Sequence, residues 1–379
     1  MPSSSPTSYW NLQIPISLSI SKSASSPTQN HQFHFLMVFL CVQGLFMRST
    51  LDSIFKVVFG SDLDSTSGLN EEGARFSCAF DAASEITAWR YVDLLRRIKR
   101  ALKLGLEARL KENVRVVDEF VYKLINTKIA HSEHHGKQDI LSRFLSLSEA
   151  DPKYLRDVVL NFVMTGKDTT ATTLSWFFYM LCKHPLSQEK AAEEVKRVAA
   201  VTGSISELYP PVPVNPKMYL SDDTLPDGFH VRKGDVVASQ PYAMGRMTAI
   251  WGDYAGEFRP ERWLNDGGCF RPENPFKFTA FQAGPRICLG KEFAYRQMKK
   301  LSAVVLRFFA LRLSDKTKAV NYRTMINLHI DVGSFASFLG RILSLLNQSW
   351  TMVSHTDPRI RENMECNNLS SIMIMSITE

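Results

Sequence analysis

The sequence predicts a mainly helical fold with a small accessory β-sheet. Two apolar patterns have the helical period, a long one over 151–183 and a second one over 291–309. Between them, after about residue 208, the chain changes to short extended pieces separated by proline and glycine. These extended pieces are the candidates for the strands of the small sheet.

Composition places the chain among ordinary globular proteins. Hydrophobic residues make up 45% and charged residues 22% of the 379 residues, which excludes a disordered, a collagen-like or a multiply membrane-spanning chain. The net charge of +7 permits an acidic partner or a membrane surface without requiring either. The six cysteines are too sparse and irregular for a disulfide framework, and none belongs to a CxxC metal pair. A reducing compartment is therefore favoured.

The first 44 residues differ from the rest and are predicted to form a disordered N-terminal segment. Residues 1–34 are rich in serine and threonine, and no Asp or Glu precedes Asp52. A transit peptide is the weaker interpretation, because such peptides are rich in arginine and the first arginine here is Arg48. The apolar run 35–47 has about 13 residues, short of the ~20 that a spanning helix needs. No transmembrane anchor is predicted.

Residues 89–111 combine eight basic residues with apolar residues at helical spacing. The prediction is a helix with a solvated basic face above an ordinary core stripe, and a membrane or partner surface is the alternative. The stripe consists of Tyr91, Leu94, Leu95, Ile98, Leu102 and Leu106. Further along, 131–136 carries three histidines, for which a flexible loop is favoured over a metal site.

The two long helical patterns have recognisable ends. Asp151 is a typical N-cap and Pro152 suits the first helical position, while His184 and Pro185 end the pattern. The second pattern places five apolar residues on one face: Ala294, Met298, Leu301, Val305 and Phe308. In the extended part between the helices, 232–235 is predicted to be the turn of a hairpin.

The strongest chemical signal is the segment FQAGPRICLG, 281–290, which presents one cysteine just ahead of a helix. Backbone N–H groups and the N-terminus of the following helix stabilise a thiolate, and a thiolate can ligate iron. Gly284 and Gly290 permit a tight turn and a close backbone approach, and Arg286 is suited to pair with a carboxylate. A lone cysteine is more often an inert buried thiol, but the whole segment favours Cys288 as a ligand.

A second signal, TGKDTT at 165–170, lies inside the long helix. A glycine in a helix interior costs up to ~1 kcal/mol relative to alanine, and threonine is also unfavourable, so another factor must favour these residues. One hypothesis is that Gly166 widens a groove for a diatomic ligand while Asp168 and Thr169 relay protons to it. On this segment alone, a packing detail of a threonine-lined helix is an equal alternative.

Two further segments lie between these signals, FRPERW at 258–263 and LYPPVP at 208–213. The cysteine segment matches FxxGxRxCxG, the heme-thiolate signature of the cytochrome P450 family, at every fixed position. The sequence therefore resembles that family. FRPERW is similar to its PERF segment, and LYPPVP to the segment after its ExxR helix. TGKDTT is similar to its oxygen-activating segment, apart from Thr165, where a small residue is usual.

The resemblance implies the fold of this family, in an incomplete form, and assigns roles to individual residues. It implies a heme cofactor with Cys288 as the axial metal ligand and Arg286 as a propionate partner. The remaining residues of the heme-binding loop are Phe281, Gly284 and Gly290. Asp168 and Thr169 take the acid and alcohol positions of the proton relay. The implied activity is that of a monooxygenase, which inserts one oxygen atom from O2 into a C–H bond of a lipophilic substrate.

The segments 45–60, 80–93 and 158–170 are similar to those of plant fatty-acid omega-hydroxylases. This similarity implies omega-hydroxylation of a long-chain fatty acid, with NADPH electrons delivered through a partner reductase. It also implies a position on the cytosolic face of the endoplasmic reticulum membrane, although no anchor is predicted in this chain. No nucleic-acid partner is expected.

The sequence also departs from the family. The Glu and Arg of the ExxR pair correspond to Ser204 and Glu207, and 202–204 is interpreted as the junction of a deletion rather than as helix. Arg262 is then predicted to lack its buried partners, which is costly. The expected organisation is a partial domain over 45–333 with a deletion near residue 203, followed by a non-family tail over 334–379. The alternative function is an inactive fragment of the family with at most a heme-binding or interaction role.

Overall fold

The described residues of the computed structural model form a mainly helical body, as predicted. The structure describes residues 37–40, 42–65, 70–90, 93, 95–102, 104–130, 139–147, 151–193, 195–313, 320–324, 326–330 and 336–340. Their helices, α1 to α11 in chain order, are Val42–Phe59, Glu71–Trp89, Arg96–Leu102, Leu106–Ala130, Ile140–Leu147, Pro152–Lys183, Pro185–Glu193, Val195–Leu208, Pro241–Met244, Thr248–Trp251 and Lys291–Phe308. The histidines of 131–136 lie outside the described residues.

The strands of the described residues are short and antiparallel. In chain order, β1 to β9 are Met37–Leu40, Asn215–Met218, Asp223–Thr224, His230–Val231, Val236–Ser239, Phe309–Leu313, Tyr322–Thr324, Leu328–Ile330 and Ala336–Gly340. The largest sheet has three strands in the order β1-β9-β6, and β2-β5, β3-β4 and β7-β8 form separate pairs. In this largest sheet, β1 and β9 lie outside the predicted 45–333 domain and β6 lies inside it.

Helix α6 is the long central helix and contributes to both large apolar clusters. Its 32 residues span roughly 48 Å at 1.5 Å per residue. Its N-terminal half, through Leu155, Val159 and Val163, packs with α1, α2, α4 and α5. Its C-terminal half, from Ala171 onward, packs in a second cluster with α8, α11 and β6. The polar segment 165–170 therefore lies where these two apolar clusters meet.

Both long helices begin and end close to the predicted residues. The side chain of Asp151 caps α6 by accepting a hydrogen bond from the Lys153 amide, and the helix ends at Lys183 before His184. Helix α11 covers 291–308 and buries Met298, Leu301 and Val305, as its apolar stripe predicts.

Two predictions about irregular regions are wrong in part. The turn at 232–235 exists, but its flanking strands pair elsewhere, β4 with β3 and β5 with β2, so they do not form one hairpin. The segment 89–111 is broken between α3 and α4, and the described residues of its predicted stripe are exposed rather than buried in a core. Their exposed fractions are 57% for Leu95, 59% for Ile98, 62% for Leu102 and 39% for Leu106.

Among the described residues, no helix is long and apolar enough to cross a membrane.

The prediction that 202–204 is not helical is also wrong. These residues are buried within α8, which runs without interruption from Val195 to Leu208. The glycine is needed there, because a Cβ on Gly203 would lie 2.5 Å from Cδ2 of the Trp263 indole. Trp263 is itself 1% exposed, so the ring has little room to move.

Replacing Gly203 with alanine is therefore expected to destabilise the protein. Overpacking a core costs about 1–3 kcal/mol, and three ring atoms of Trp263 within 2.8 Å of the added Cβ place this site at the upper end. Alanine gains ~1 kcal/mol over glycine in a helix, so we expect the free energy of unfolding in urea to fall by about 2 kcal/mol. Gly256→Ala is the control, since a Cβ there meets nothing within 4 Å. Equal stability of the two variants would contradict the close contact.

Candidate functional site

The cysteine loop is a series of tight turns anchored at both ends. Gln282 and Gly284 have φ angles of 60° and 65°, in the left-handed region that favours glycine. The amide of Cys288 donates to the Phe281 carbonyl at 2.8 Å, and the amide of Ala294 donates to the Gly290 carbonyl at 2.8 Å. These bonds place Cys288 immediately before the N-terminus of α11, as predicted.

The side chain of Phe281 anchors the beginning of this loop to the core. The ring of Phe281 lies 5.0 Å from that of Tyr295 on α11, and it packs against the small cluster formed by Trp251, Trp263 and Phe278. Phe281 therefore holds the beginning of the loop against the core, while 284–290 is exposed. A Cβ on Gly290 would lie 3.9 Å from the Cys288 sulfur, so a larger residue would project toward the thiol.

The outer face of the loop fits the heme that the resemblance implies. The thiol of Cys288 is free and exposed. Arg286 is exposed and has no ion pair within the part of the chain that the structure describes. Ile287 is 40% and Leu289 is 97% exposed. A flat apolar macrocycle with two carboxylates and a central iron matches this set of a sulfur donor, a cation and apolar side chains.

The other described cysteines lack these features. Cys182 is buried, and the loss of solvent raises its pKa to about 12. Cys78 is exposed but lies inside α2 rather than before a helix, and partial loss of solvent and the nearby Asp81 raise its pKa. Cys269 is exposed but precedes no helix. Cys288 alone among the described cysteines combines exposure with a helix N-terminus.

The second predicted group of residues lies in the middle of α6. Asp168 keeps 13% of its side-chain surface exposed. The hydroxyl of Thr169 donates to the Thr165 carbonyl at 2.7 Å, and the hydroxyl of Thr165 donates to the Asn161 carbonyl at 2.8 Å. Such bonds within the helix satisfy the threonines where they stand.

The structure gives Gly166 a packing role, and its predicted role in a groove stays a hypothesis. A Cβ at this position would lie 2.7 Å from Cδ1 of Ile54, so the glycine faces α1 and allows the two helices to approach. Close packing of α1 on α6 therefore explains the glycine, and groove widening is not needed to account for it.

Sequence reasoning missed the ionic partner of Lys167. Its ammonium group pairs with Asp81 of α2 and lies 3.5 Å from the Asp168 carboxylate, although the Lys167 side chain is only 1% exposed. A signal was available, because Lys167 occupies a position between Val163 and Ala171 in a stripe that is otherwise buried and apolar. A lysine in such a stripe requires a buried carboxylate.

Helix α6, which carries Asp168 and Thr169, packs against α11, which follows the Cys288 loop. Leu174 of α6 and Met298 and Leu301 of α11 share one apolar cluster, and Phe293 of α11 packs against the other cluster. No hydrogen bond or ion pair joins the cysteine loop to Asp168 or Thr169 within the described residues. Apolar packing of α6 on α11 therefore determines where Asp168 and Thr169 lie relative to the Cys288 loop.

Arg262 is not left without a partner, contrary to the prediction. It forms an ion pair with Glu207, whose side chain is fully buried, and the Trp263 indole donates to the same carboxylate at 3.3 Å. The hydroxyl of Ser204 accepts a hydrogen bond from the Arg259 amide at 3.2 Å. The two residues that differ from the ExxR pair therefore tie α8 to the 258–263 segment. The deletion near residue 203 remains a prediction.

The Glu207 carboxylate is expected to make stability depend on pH. Burial raises its pKa from 4.5 to about 7, although Arg262 pulls it downward. The stability contributed by this group is therefore fully present below about pH 4.5 and is lost as the pH rises through about 7. We expect the free energy of unfolding, relative to Glu207→Gln, to fall by about 1–3 kcal/mol over this interval. The measurement is urea unfolding of both proteins at a series of pH values. A difference in unfolding free energy that stays constant from acid to neutral pH would contradict this prediction.

Known proteins are similar in sequence to this chain over most of its length. Residues 40–330 match the family model described as Cytochrome P450. Cytochrome P450 704C1 of Pinus taeda is 45% identical, over 76% of this chain and 65% of the relative. Cytochrome P450 704B1 of Arabidopsis thaliana is 38% identical, over 77% of this chain and 67% of the relative. Cytochrome P450 94A1 of Vicia sativa is also 38% identical, over 70% and 57%. The chain thus spans about two thirds or less of the length of these relatives.

The family match covers well over half of the 379 residues, and it includes both the Cys288 loop and the 165–170 segment of α6. It confirms the resemblance found in the sequence. The chain therefore belongs to the cytochrome P450 family.

Proposed function

We propose that this chain acts as a heme-thiolate monooxygenase, which inserts one oxygen atom from O2 into a C–H bond of a lipophilic substrate. The observation that carries the proposal is the Cys288 loop. An exposed free thiol stands just before the N-terminus of α11. It lies beside Arg286, which has no acidic partner among the described residues, and beside two exposed apolar side chains. Family membership implies the same cofactor.

In this proposal, the loop residues bind and orient the heme. Cys288 provides the thiolate ligand of the iron, which the N-terminus of α11 stabilises through its backbone N–H groups. Arg286 pairs with a propionate, and Ile287 and Leu289 cover part of the apolar macrocycle. Phe281, Gly284 and Gly290 maintain the turns that present the sulfur. When bound, the heme supplies the iron at which O2 is activated, and the thiolate donates electron density that favours O–O cleavage.

The polar segment of α6 handles protons in this proposal. Asp168 is partly exposed, so its carboxyl group can exchange protons with solvent. It precedes Thr169, whose Oγ1 can pass a proton onward when it releases the Thr165 carbonyl. A positioned acid and alcohol of this kind typically contribute 10²–10⁴-fold to a rate. Asp168→Asn is the variant that removes the acid at nearly constant size.

The substrate class and the partners follow from the resemblance. We propose a long-chain fatty acid as the substrate, with hydroxylation at its omega end. The electrons are proposed to come from NADPH through a partner reductase, and the site of action to be the cytosolic face of the endoplasmic reticulum membrane. Support for these finer statements comes from the segments 45–60, 80–93 and 158–170, which are similar to those of plant fatty-acid omega-hydroxylases.

The rival hypothesis is an inactive member of the family. It was based on Ser204 and Glu207 and on the expectation that Arg262 lacks a partner. Since Glu207 pairs with Arg262, this reason for expecting an unstable core is removed. A heme-free form of this rival predicts no carbon monoxide band, because only a protein that binds heme through a thiolate shows it. A heme-binding but inactive form predicts the band without any hydroxylated product.

The test is an absorbance difference spectrum of the purified full chain, reconstituted with heme, reduced with dithionite and exposed to carbon monoxide. We expect the band of a thiolate-ligated heme. We also expect long-chain saturated fatty acids to change the spectrum of the ferric protein, which shorter acids do not. The absence of the carbon monoxide band would overturn the proposed function. A band with no response to fatty acids would overturn the substrate class.

A further inference from the structure

The buried cation Lys167 has no role in the function proposed so far. Its side chain is 1% exposed, and an ammonium group at such a depth needs compensation. Asp81 of α2 provides it through a direct ion pair, and the Phe80 ring lies 5.6 Å from the Lys167 nitrogen. The Thr50 hydroxyl of α1 donates to the Lys167 carbonyl at 3.0 Å. Lys167 is therefore held at both its backbone and its side-chain end.

The same cation also reaches Asp168. Neighbouring residues on a helix do not face each other, so this contact is not imposed by their adjacency. The Lys167 nitrogen nevertheless lies 3.5 Å from an Asp168 carboxylate oxygen. One positive charge is thus shared between two carboxylates on different helices. The orientation of the Asp168 carboxylate then depends on how strongly Asp81 binds the lysine.

The protonation of the pair agrees with this arrangement. Burial alone would lower the pKa of Lys167, but the charges of Asp81 and Asp168 outweigh it and raise the pKa, so the lysine stays charged. Burial raises the pKa of Asp81, and Lys167 pulls it back down. The other titratable and charged groups that act on this cluster are Cys78 of α2, Arg48 of α1 and His329 of β8.

We propose that Lys167, anchored by Asp81, is the positioning residue that fixes the Asp168 carboxylate and compensates its charge. The inference rests on the proposed function, in which Asp168 relays protons. It adds Asp81 on α2 to the residues that control the relay. It also couples any displacement of α2 to the charge environment of Asp168.

Two nearly isosteric variants test the inference. Lys167→Met removes the cation that holds the Asp168 carboxylate. Asp81→Asn keeps the cation and removes the anchor that holds it in place. If Lys167 positions Asp168, both variants should displace the NMR resonance of the Asp168 carboxyl carbon. If the lysine only stabilises the packing of α2 on α6, that resonance should stay in place in the folded variants. Lys167→Arg retains the charge and should keep the resonance near its wild-type position.

The measurement is the chemical shift of the Asp168 carboxyl carbon at pH 8, in protein labelled with ¹³C-aspartate. The resonance is assigned by its loss in Asp168→Asn. Lys128→Met is the matched control, since it breaks the pair between Lys128 of α4 and Asp139, which precedes α5, without touching α6. An unchanged Asp168 resonance in Asp81→Asn overturns the inference even if Lys167→Met does not fold.

This readout does not depend on turnover, so the two proposals can fail separately. A protein without the carbon monoxide band, but with a displaced Asp168 resonance in the two variants, disproves the proposed function and retains the positioning of Asp168. A protein with the band and an undisplaced resonance disproves the positioning only. Where the band is present, both variants should lower kcat of the hydroxylation and leave the substrate KM unchanged.

Discussion

Replacing Cys288 with alanine is expected to abolish the carbon monoxide band of the reduced protein. The side chain of Cys288 is the proposed sulfur donor, and alanine cannot ligate iron. Cys288→Ser is the sharper variant, because it keeps the size of the side chain and its place before α11 while replacing the thiolate by a hydroxyl that is a poor ligand at neutral pH. Neither change should unfold the protein, since the residue is exposed and its loop is held by backbone hydrogen bonds.

Cys269→Ala is the matched control for this experiment. Cys269 is also a free and exposed cysteine, but it lies in the turn between Leu264 and Phe270. The control should retain the full band, whereas both Cys288 variants should lose at least nine tenths of it at equal heme and protein concentration. Retention of the band in Cys288→Ser would mean that another residue ligates the iron. Unfolding curves measured on the same samples exclude loss of structure as the cause.

Replacing Arg262 with methionine is expected to cause the largest loss of stability. The change leaves the Glu207 carboxylate, which is fully buried, without its cation. Removing one partner of a buried ion pair typically costs about 3–5 kcal/mol, a large share of the ~5–15 kcal/mol that stabilises a domain. The guanidinium group also donates to the Tyr254 carbonyl at 2.9 Å and lies 5.3 Å from the Trp251 ring, and both contacts are lost. Urea unfolding at pH 8 measures the effect.

The double variant Glu207→Gln with Arg262→Met separates charge from packing. It removes the buried carboxylate as well, so it should recover about half of the lost stability. Arg259→Met is the control for a salt bridge at the surface. Its pair with Glu257 is about half exposed, and such pairs contribute about 0–1 kcal/mol. If Arg262→Met and Arg259→Met lost equal stability, the buried pair would not hold α8 to the 258–263 segment.

Local sequence signals predicted the elements that depend on neighbouring residues. The cap at Asp151, the end of α6 before His184 and the buried stripe of α11 all follow from residue types within a few positions of one another. The Cys288 loop also follows from its own glycines and its place before a helix. For the cap, the helix end and the loop, the determining interactions are hydrogen bonds and dihedral preferences within the segment, and the stripe of α11 follows from the helical spacing of its apolar residues.

Contacts between distant residues caused the errors. Gly203 suggested a break in a helix, but the tryptophan that makes a glycine necessary lies 60 positions away in the chain. Glu207 does not match the ExxR motif, so the motif predicts an unpaired Arg262. In the structure, Glu207 is buried against Arg262 and forms its ion-pair partner. Leu95, Ile98 and Leu102 have the spacing of a core stripe, yet no described element covers them.

The sequence by itself determined that the chain is helical, that α6 carries an acid beside an alcohol, and that one cysteine stands before α11. These properties depend on backbone preferences and side-chain chemistry, which each segment carries with it. Only the tertiary structure decided which charges share a buried site: Glu207 with Arg262, and Asp81 with Lys167. A charge removed from water must find its counter-charge wherever the packing of helices brings one within a few ångströms, and separation along the chain does not limit that choice.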